Sequence, residues 1–187
     1  MIEREVKLSF PSATAARSAL LAAGASASRS RRLQDDALYD TPQDFLRGKG
    51  CIVRVRTEHW PDNLRTTTLT AKGPVQPGPM KIREEHETRV DNGDALAQVL
   101  DVLGLRPWFR YQKYREEFSA PNLIAALDET PVGVFVEIEG SEEAIRSMTA
   151  ALGREPGDFI LDSYYRLFLS RREEYRLTGP DMLFPTA

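Results

Sequence analysis

Charged residues recur at every second position in several separate stretches, and this spacing constrains the fold more than any other feature of the chain. A period of two belongs to a β-strand, whose successive side chains point to opposite faces. At the start, Glu3, Glu5 and Lys7 share one face, while Ile2, Val6 and Leu8 share the other. The pattern returns in Arg54-x-Arg56, Arg83-x-Glu85-x-Glu87, Lys113-x-Arg115 and Glu137-x-Glu139. An ordinary solvated strand face mixes Thr, Ser, Gln and Lys. Here carboxylates gather on some strands and basic groups on others, which points to a site.

Composition limits what that site serves. The chain has 187 residues, 41% of them hydrophobic, which suits one domain with one good core. We therefore expect a single domain over residues 1–187, with a core to about residue 169 and a C-terminal extension over 170–187. A net charge of −3 gives no footprint for nucleic acid, though a local basic patch can still hold a small anion. The single cysteine, Cys51, rules out an internal disulfide and a cysteine-based metal site; its expected role is a packed thiol. The N-terminal charges leave no apolar signal core, and no run approaches the roughly 20 apolar residues of a membrane span. The expected location is cytoplasmic, with no membrane partner.

Along the chain, Ser12 is placed to cap a helix that runs to Ala23 and ends at Gly24. The Ser- and Arg-rich residues 25–34 are expected to leave Arg29, Arg31 and Arg32 in solvent. Residues 38–42 read as a short strand and turn, and residues 66–72 as a β-branched strand carrying Lys72 on the face of Thr68 and Thr70. Residues 73–79, rich in Gly and Pro, form a loop without the Gly-Lys-Ser/Thr of a P-loop. A helix from about Asp94 to Gly104 is predicted to bury Ala95, Leu96, Val99, Leu100 and Leu103. Strands follow at 111–118, 123–128 and 132–139. Ser141 caps a helix burying Ile145, Met148 and Leu152, and Asp158 is the expected cap of a last, aromatic-rich helix to Leu169.

About eight strands with one charged face each can close into an antiparallel barrel, which removes exposed edges and leaves the apolar face for helices to cover. The predicted fold class is α+β, a closed eight-stranded barrel with helices outside. Its bore would gather Lys7, Arg54, Arg56, Lys72, Arg83, Lys113 and Arg115 with Glu3, Glu5, Glu85, Glu87, Asp128, Glu137 and Glu139. Clustered carboxylates repel unless protonated or bridged by a hard divalent cation. Arginine forks and lysine ammoniums suit phosphate oxygens. Separate zones of the two kinds suit a polyphosphate chain.

These motifs, in order, resemble the CYTH superfamily, the triphosphate tunnel metalloenzymes, which takes in class IV adenylate cyclases, thiamine triphosphatases and inorganic triphosphatases. The resemblance spans Glu3-x-Glu5-x-Lys7, Tyr39-Asp40-Thr41, Arg54-x-Arg56, Leu69-Thr70-Ala71-Lys72-Gly73-Pro74, Arg83-x-Glu85-x-Glu87, Lys113-x-Arg115, Leu127-Asp128, Gly133-x-Phe135-x-Glu137-x-Glu139 and Ser163-Tyr164. It implies a triphosphate tunnel using Mg²⁺ or Mn²⁺. By resemblance, Glu3, Glu5, Asp128, Glu137 and Glu139 are metal ligands, and Lys7, Arg54, Arg56, Lys72 and Arg115 contact the triphosphate. Glu3, Glu5, Lys72, Glu137 and Glu139 form the implied catalytic set. Arg83, Glu85, Glu87 and Lys113 belong in the tunnel without an assigned role. His59 and His86 fit no motif position, Trp60 and Trp108 are not read as stacking platforms, and Tyr164 is read as packing. Three functions stay open: hydrolysis of a triphosphate, which ranks first; cyclisation of ATP to cyclic AMP and pyrophosphate; and non-catalytic binding of polyphosphate or nucleotide, against which the full set of acidic motif positions counts. A homodimer is the default for any oligomer.

Overall fold

The computed structural model describes residues 2–185; Met1, Thr186 and Ala187 lie outside the described residues, including the end of the expected C-terminal extension. The class is α+β. Eight antiparallel strands form a hydrogen-bonded ring: β1 (Ile2–Phe10), β2 (Ser26–Asp40), β3 (Ile52–His59), β4 (Arg65–Lys72), β5 (Lys81–Val90), β6 (Arg106–Ala120), β7 (Leu123–Thr130) and β8 (Gly133–Gly140). The order around the ring is β1-β5-β4-β3-β2-β6-β7-β8, and β8 pairs back onto β1. Among the described residues, five α-helices accompany them: α1 (Ala13–Ala22), α2 (Phe45–Gly48), α3 (Gly93–Val102), α4 (Glu142–Ala151) and α5 (Tyr164–Arg171). Among the described residues, no helix is long and apolar enough to cross a membrane.

Local chemistry sets the helix ends. Ser12 Oγ accepts the Ala15 N–H at 3.1 Å, and Gly24 takes φ +87° just beyond α1, a conformation open to glycine without a Cβ clash. Ser141 Oγ caps α4 at the Ala144 N–H. The Tyr39-Asp40-Thr41 motif has a structural use here: Asp40, almost fully buried, accepts N–H bonds from Thr41, Leu46 and Arg47 and so holds α2 in place.

Two cores hold the ring and its helices together. The first joins the outward faces of β1, β6, β7 and β8, with Val6, Leu8, Phe118, Leu127, Val136 and Ile138, to Ala16 and Leu20 of α1 and Ile145 and Met148 of α4. The second lies where β3 begins. There Leu38, Phe109, Tyr111 and Phe135 pack against Tyr164, Leu167 and Phe168 of α5 and against Met182. Residues 177–184 therefore belong to the fold: Leu177 and Met182 enter that second core, and Met182 bonds Arg110 and Gln112 through its backbone. Gly140 is demanded by close approach, since a Cβ there would lie 2.3 Å from the Asn122 carbonyl oxygen.

Several expectations are corrected. The Ser- and Arg-rich segment is the first half of a 15-residue strand, β2, and Arg32 within it is buried, while Arg29 and Arg31 do reach solvent. The long-range ladder to β6, which bends through register shifts between Ala27 and Arg32, overrides the loop-like composition. Of the stripe assigned to α3 only Leu100 is buried, and Val99 and Leu103 are exposed. Periodicity shows that a helix has an apolar face, not that something packs on it. The last helix is capped by Ser163, whose Oγ accepts the Arg166 N–H; Asp158 instead ends a short 3₁₀ turn over Pro156–Asp158. Cys51 is half-exposed just ahead of β3 rather than packed in a core.

Candidate active site

A cavity of about 1650 Å³ runs through the ring. Its lining includes Glu3, Glu5, Lys7, Arg54, Arg56, Lys72, Arg83, Glu85, Glu87, Lys113, Arg115, Glu137 and Glu139. The strand pairing explains the convergence. Glu5 sits opposite Glu139, Lys7 opposite Glu137, Glu3 opposite Arg83 and Lys72 opposite Glu85, all on the inward face. Asp128 shares the inward face, opposite Arg115 in the β6–β7 ladder, but is fully buried and does not itself line the cavity.

One zone is acidic. Glu3 takes Lys72 Nζ on both its oxygens, at 2.7 and 2.8 Å, and Lys72 also reaches Glu85 at 2.8 Å. Glu5 takes Lys81 Nζ at 2.6 Å. Glu139 has the opposite surroundings: burial, then the charges of Glu3, Glu5 and Glu85, push its carboxyl up to about 7. Arg83 is a brace, donating to the Gly73 and Gly50 carbonyls at 3.0 Å each and tying the loop after β4 to the turn before β3.

A second zone is built around a buried ion cluster. Lys113 Nζ lies 2.8 Å from Asp128 Oδ2, and Arg115 forks onto both Asp128 oxygens at 2.7 and 2.5 Å. Arg115 also bonds Glu137, and Lys7 lies 3.4 Å from the same carboxylate. The Tyr164 hydroxyl donates to Asp128 at 2.6 Å, while its ring lies 4.4 Å from the Lys7 ammonium and 4.6 Å from that of Lys113. So Tyr164 packs, as expected, and also touches the charged cluster. Burial, then Arg115, depresses the Lys113 ammonium to about 8. Burial works to raise Asp128, but Arg115 and Lys113 outweigh it and hold the carboxyl below its ordinary range.

The third zone faces these. Arg56 Nε donates to Asp36 at 2.8 Å, and Arg54 reaches Asp36, Thr70 and Glu87. Asp36 is fully buried and was not foreseen; neither were Arg32, Gln34, Glu58, Lys81 and Glu117. Arg32 donates to Glu58 at 2.6 Å and contacts Glu117, and Gln34 donates to Glu58 at 2.7 Å. The signal was present as the same alternation continued: Arg32-x-Gln34-x-Asp36, Arg56-x-Glu58, Lys81-x-Arg83 and Arg115-x-Glu117.

Among the described residues, no three His, Cys, Asp or Glu side chains are gathered closely enough to hold a metal ion as they stand. The donor chemistry nevertheless fits a hard divalent cation. All the acidic groups are carboxylates, and Glu139 keeps its proton toward neutrality because burial and the charges of Glu3, Glu5 and Glu85 outweigh the opposing pull of Lys72.

The CYTH domain family pattern matches residues 1–156. Among solved structures, a Pyrococcus horikoshii protein shares 24% identity at a TM-score of 0.75, covering 91% of this chain and 99% of that one. A Vibrio parahaemolyticus protein described as a candidate adenylate cyclase shares 19% at 0.76, covering 90% and 98%. A Hippeastrum candidate adenylyl cyclase, described as revealing a dominant triphosphatase activity, shares 20% at 0.62, covering 90% and 95%. No curated protein sequence matches.

Proposed function

Starting from the fact that the chain belongs to the CYTH domain family, we propose that it is a divalent-metal-dependent triphosphatase acting inside a closed tunnel, with Mg²⁺ or Mn²⁺ as the cation. The observation that carries this reading is the charge layout of the cavity. Lys7, Arg115, Arg54 and Arg56 all line it, while Glu3, Glu5 and Glu139 face one another at the β1–β8 seam.

Five of the bore cations are held by carboxylates: Lys72 by Glu3, Lys7 and Arg115 by Glu137, Arg54 and Arg56 by Asp36. A triphosphate offers these groups more charge than a single carboxylate does, so it competes for them and releases carboxylates toward a cation. Glu3, Glu5 and Glu139 would hold that cation, with Glu137 beside them. When bound, it neutralises phosphate charge and lowers the pKa of the attacking water. Arg54, Arg56 and Lys7 bind and orient the phosphate chain. Arg115 and Lys113 would stabilise charge developing on the transferred oxygens, and Asp128, bonded by Lys113, Arg115 and Tyr164, holds them in place.

Cyclisation of ATP uses the same lining and remains the second reading, since the Vibrio and Hippeastrum neighbours are described as candidate cyclases. Purified protein incubated with Mn²⁺ and tripolyphosphate, thiamine triphosphate or ATP, with and without chelator, separates the readings by product. Orthophosphate formed only with metal is the expected result. Cyclic AMP with pyrophosphate would replace hydrolysis by cyclisation, and undiminished turnover in excess chelator would remove the metal.

A further inference from the structure

The end of the cavity farthest from α5 carries residues that the phosphate chemistry above does not use. Strand β3 begins at the α5 end with Ile52 and finishes at the other rim with His59, where a hairpin turns into β4. Trp60 and Leu64 lie in that hairpin and line the cavity; Leu64 is exposed and Trp60 half-buried. Arg32 and Arg29 stand 4.7 and 5.7 Å from the indole ring, whose Nε1 donates to Thr66 at 3.3 Å.

Just inside the rim are two polar atoms without a hydrogen-bond partner among the described residues, Gln34 Oε1 and Thr68 Oγ1. Both side chains line the cavity, and Gln34 is 1% exposed. Buried polar atoms are normally satisfied, so two left open beside a cavity mark the place of a missing partner. Thr68 sits directly opposite Arg56 in the β3–β4 ladder, and Gln34 lies opposite Glu58. Trp60 is four residues past Arg56, about 13 Å along the strand direction at ~3.3 Å per residue. That interval accommodates a sugar between a phosphate held by Arg56 and a flat ring at Trp60.

The charge of this rim selects against a longer phosphate chain. Arg29, Arg32 and Arg89 are offset by Glu58, Glu87 and Glu117, so a further anion gains little there, whereas an uncharged aromatic group can stack. Resting on the triphosphate reading, we propose that the β3–β4 rim is the subsite for the nucleoside of a nucleoside triphosphate. Contrary to the reading from sequence alone, Trp60, which lines the cavity, stacks the base, and Gln34 Oε1 with Thr68 Oγ1 takes the sugar hydroxyls.

The test compares ATP with tripolyphosphate, which has no organic end, in the presence of Mn²⁺. Trp60→Ala and Gln34→Met should each lower the ratio of kcat/KM for ATP to that for tripolyphosphate by about 10-fold or more. In Trp108→Phe, which leaves Trp60 as the sole indole, ATP should change the emission at saturation more than tripolyphosphate does. An unchanged ratio in both variants, or equal emission responses, would overturn the subsite. So would a wild-type protein that turns over tripolyphosphate but neither binds nor cleaves ATP, leaving the triphosphatase reading intact. Failure to bind or cleave any triphosphate would bring down both.

Discussion

Replacing Asp128 by Asn tests whether the buried ion cluster works as described. In the native protein both oxygens of Asp128 are engaged by Lys113, Arg115 and Tyr164, and the carboxylate has no exposure. Removing one partner of a buried ion pair costs about 3–5 kcal/mol, because the other charge stays behind without compensation. The lower end applies here, since Arg115 keeps Glu137 and Lys113 has the same carboxylate 3.7 Å away. At about 2–4 °C per kcal/mol for a chain of this size, a loss of about 3 kcal/mol lowers Tm by roughly 6–12 °C. Thermal unfolding followed by circular dichroism at neutral pH measures it.

The pH dependence gives the reasoning a second edge. Asp128 is held below its ordinary range, so its contribution is complete above the unfolded value near ~3.9 and is lost as pH falls through the folded one. The gap in Tm between native protein and variant should therefore narrow in acid. It should narrow again above about pH 8, where Lys113 sheds its proton and no longer needs a counter-charge. A gap under about 2 °C at pH 7, or one that widens in acid, would refute the account of Asp128 as the counter-ion of this cluster.

Other consequences are as direct. Glu139 stands at about 7 because burial and three carboxylates oppose its ionisation, and a cation can bind it only once the proton leaves. Calorimetric titration with Mn²⁺ should show affinity rising from pH 6 to 8 with proton release, and Glu139→Gln should abolish that dependence; a flat native profile would count against Glu139 as a ligand. Arg54→Ala or Arg56→Ala should raise KM by about 10- to 100-fold, on the order of the ~1.5–3 kcal/mol of a charged hydrogen bond, whereas Glu137→Gln should lower kcat. Steady-state kinetics on tripolyphosphate with folded variants tell the two apart, and native kcat and KM in all of them would displace the site. Gly140→Ala sets a Cβ 2.3 Å from the Asn122 carbonyl oxygen, so the β7–β8 end must shift at a cost of about 1–3 kcal/mol. The urea midpoint should fall, and an unchanged one would mean that the turn relaxes freely.

Alternation of charge every second residue is a local property, so the inward faces of β1, β3, β5, β6 and β8 were readable directly, and with them the charged lining from Glu3 to Glu139. Caps at Ser12 and Ser141 were equally local, one hydroxyl serving an amide three residues on. What the sequence left open depended on partners far along the chain. Arg32 resembles any solvated arginine until β2 is laid beside β3 and β6, which bring Glu58 and Glu117 to it from 26 and 85 residues away. Asp36 became a counter-ion of Arg56 for the same reason, and Asp128 is buried on the inward face where Tyr164, 36 residues later on α5, bonds to it. The apolar stripe of α3 shows the converse: its pattern was plain, yet burial needs a facing surface, and the fold supplies one only to Leu100. Local pattern decides which way a side chain points, and only the closed set of long-range pairings decides what it meets.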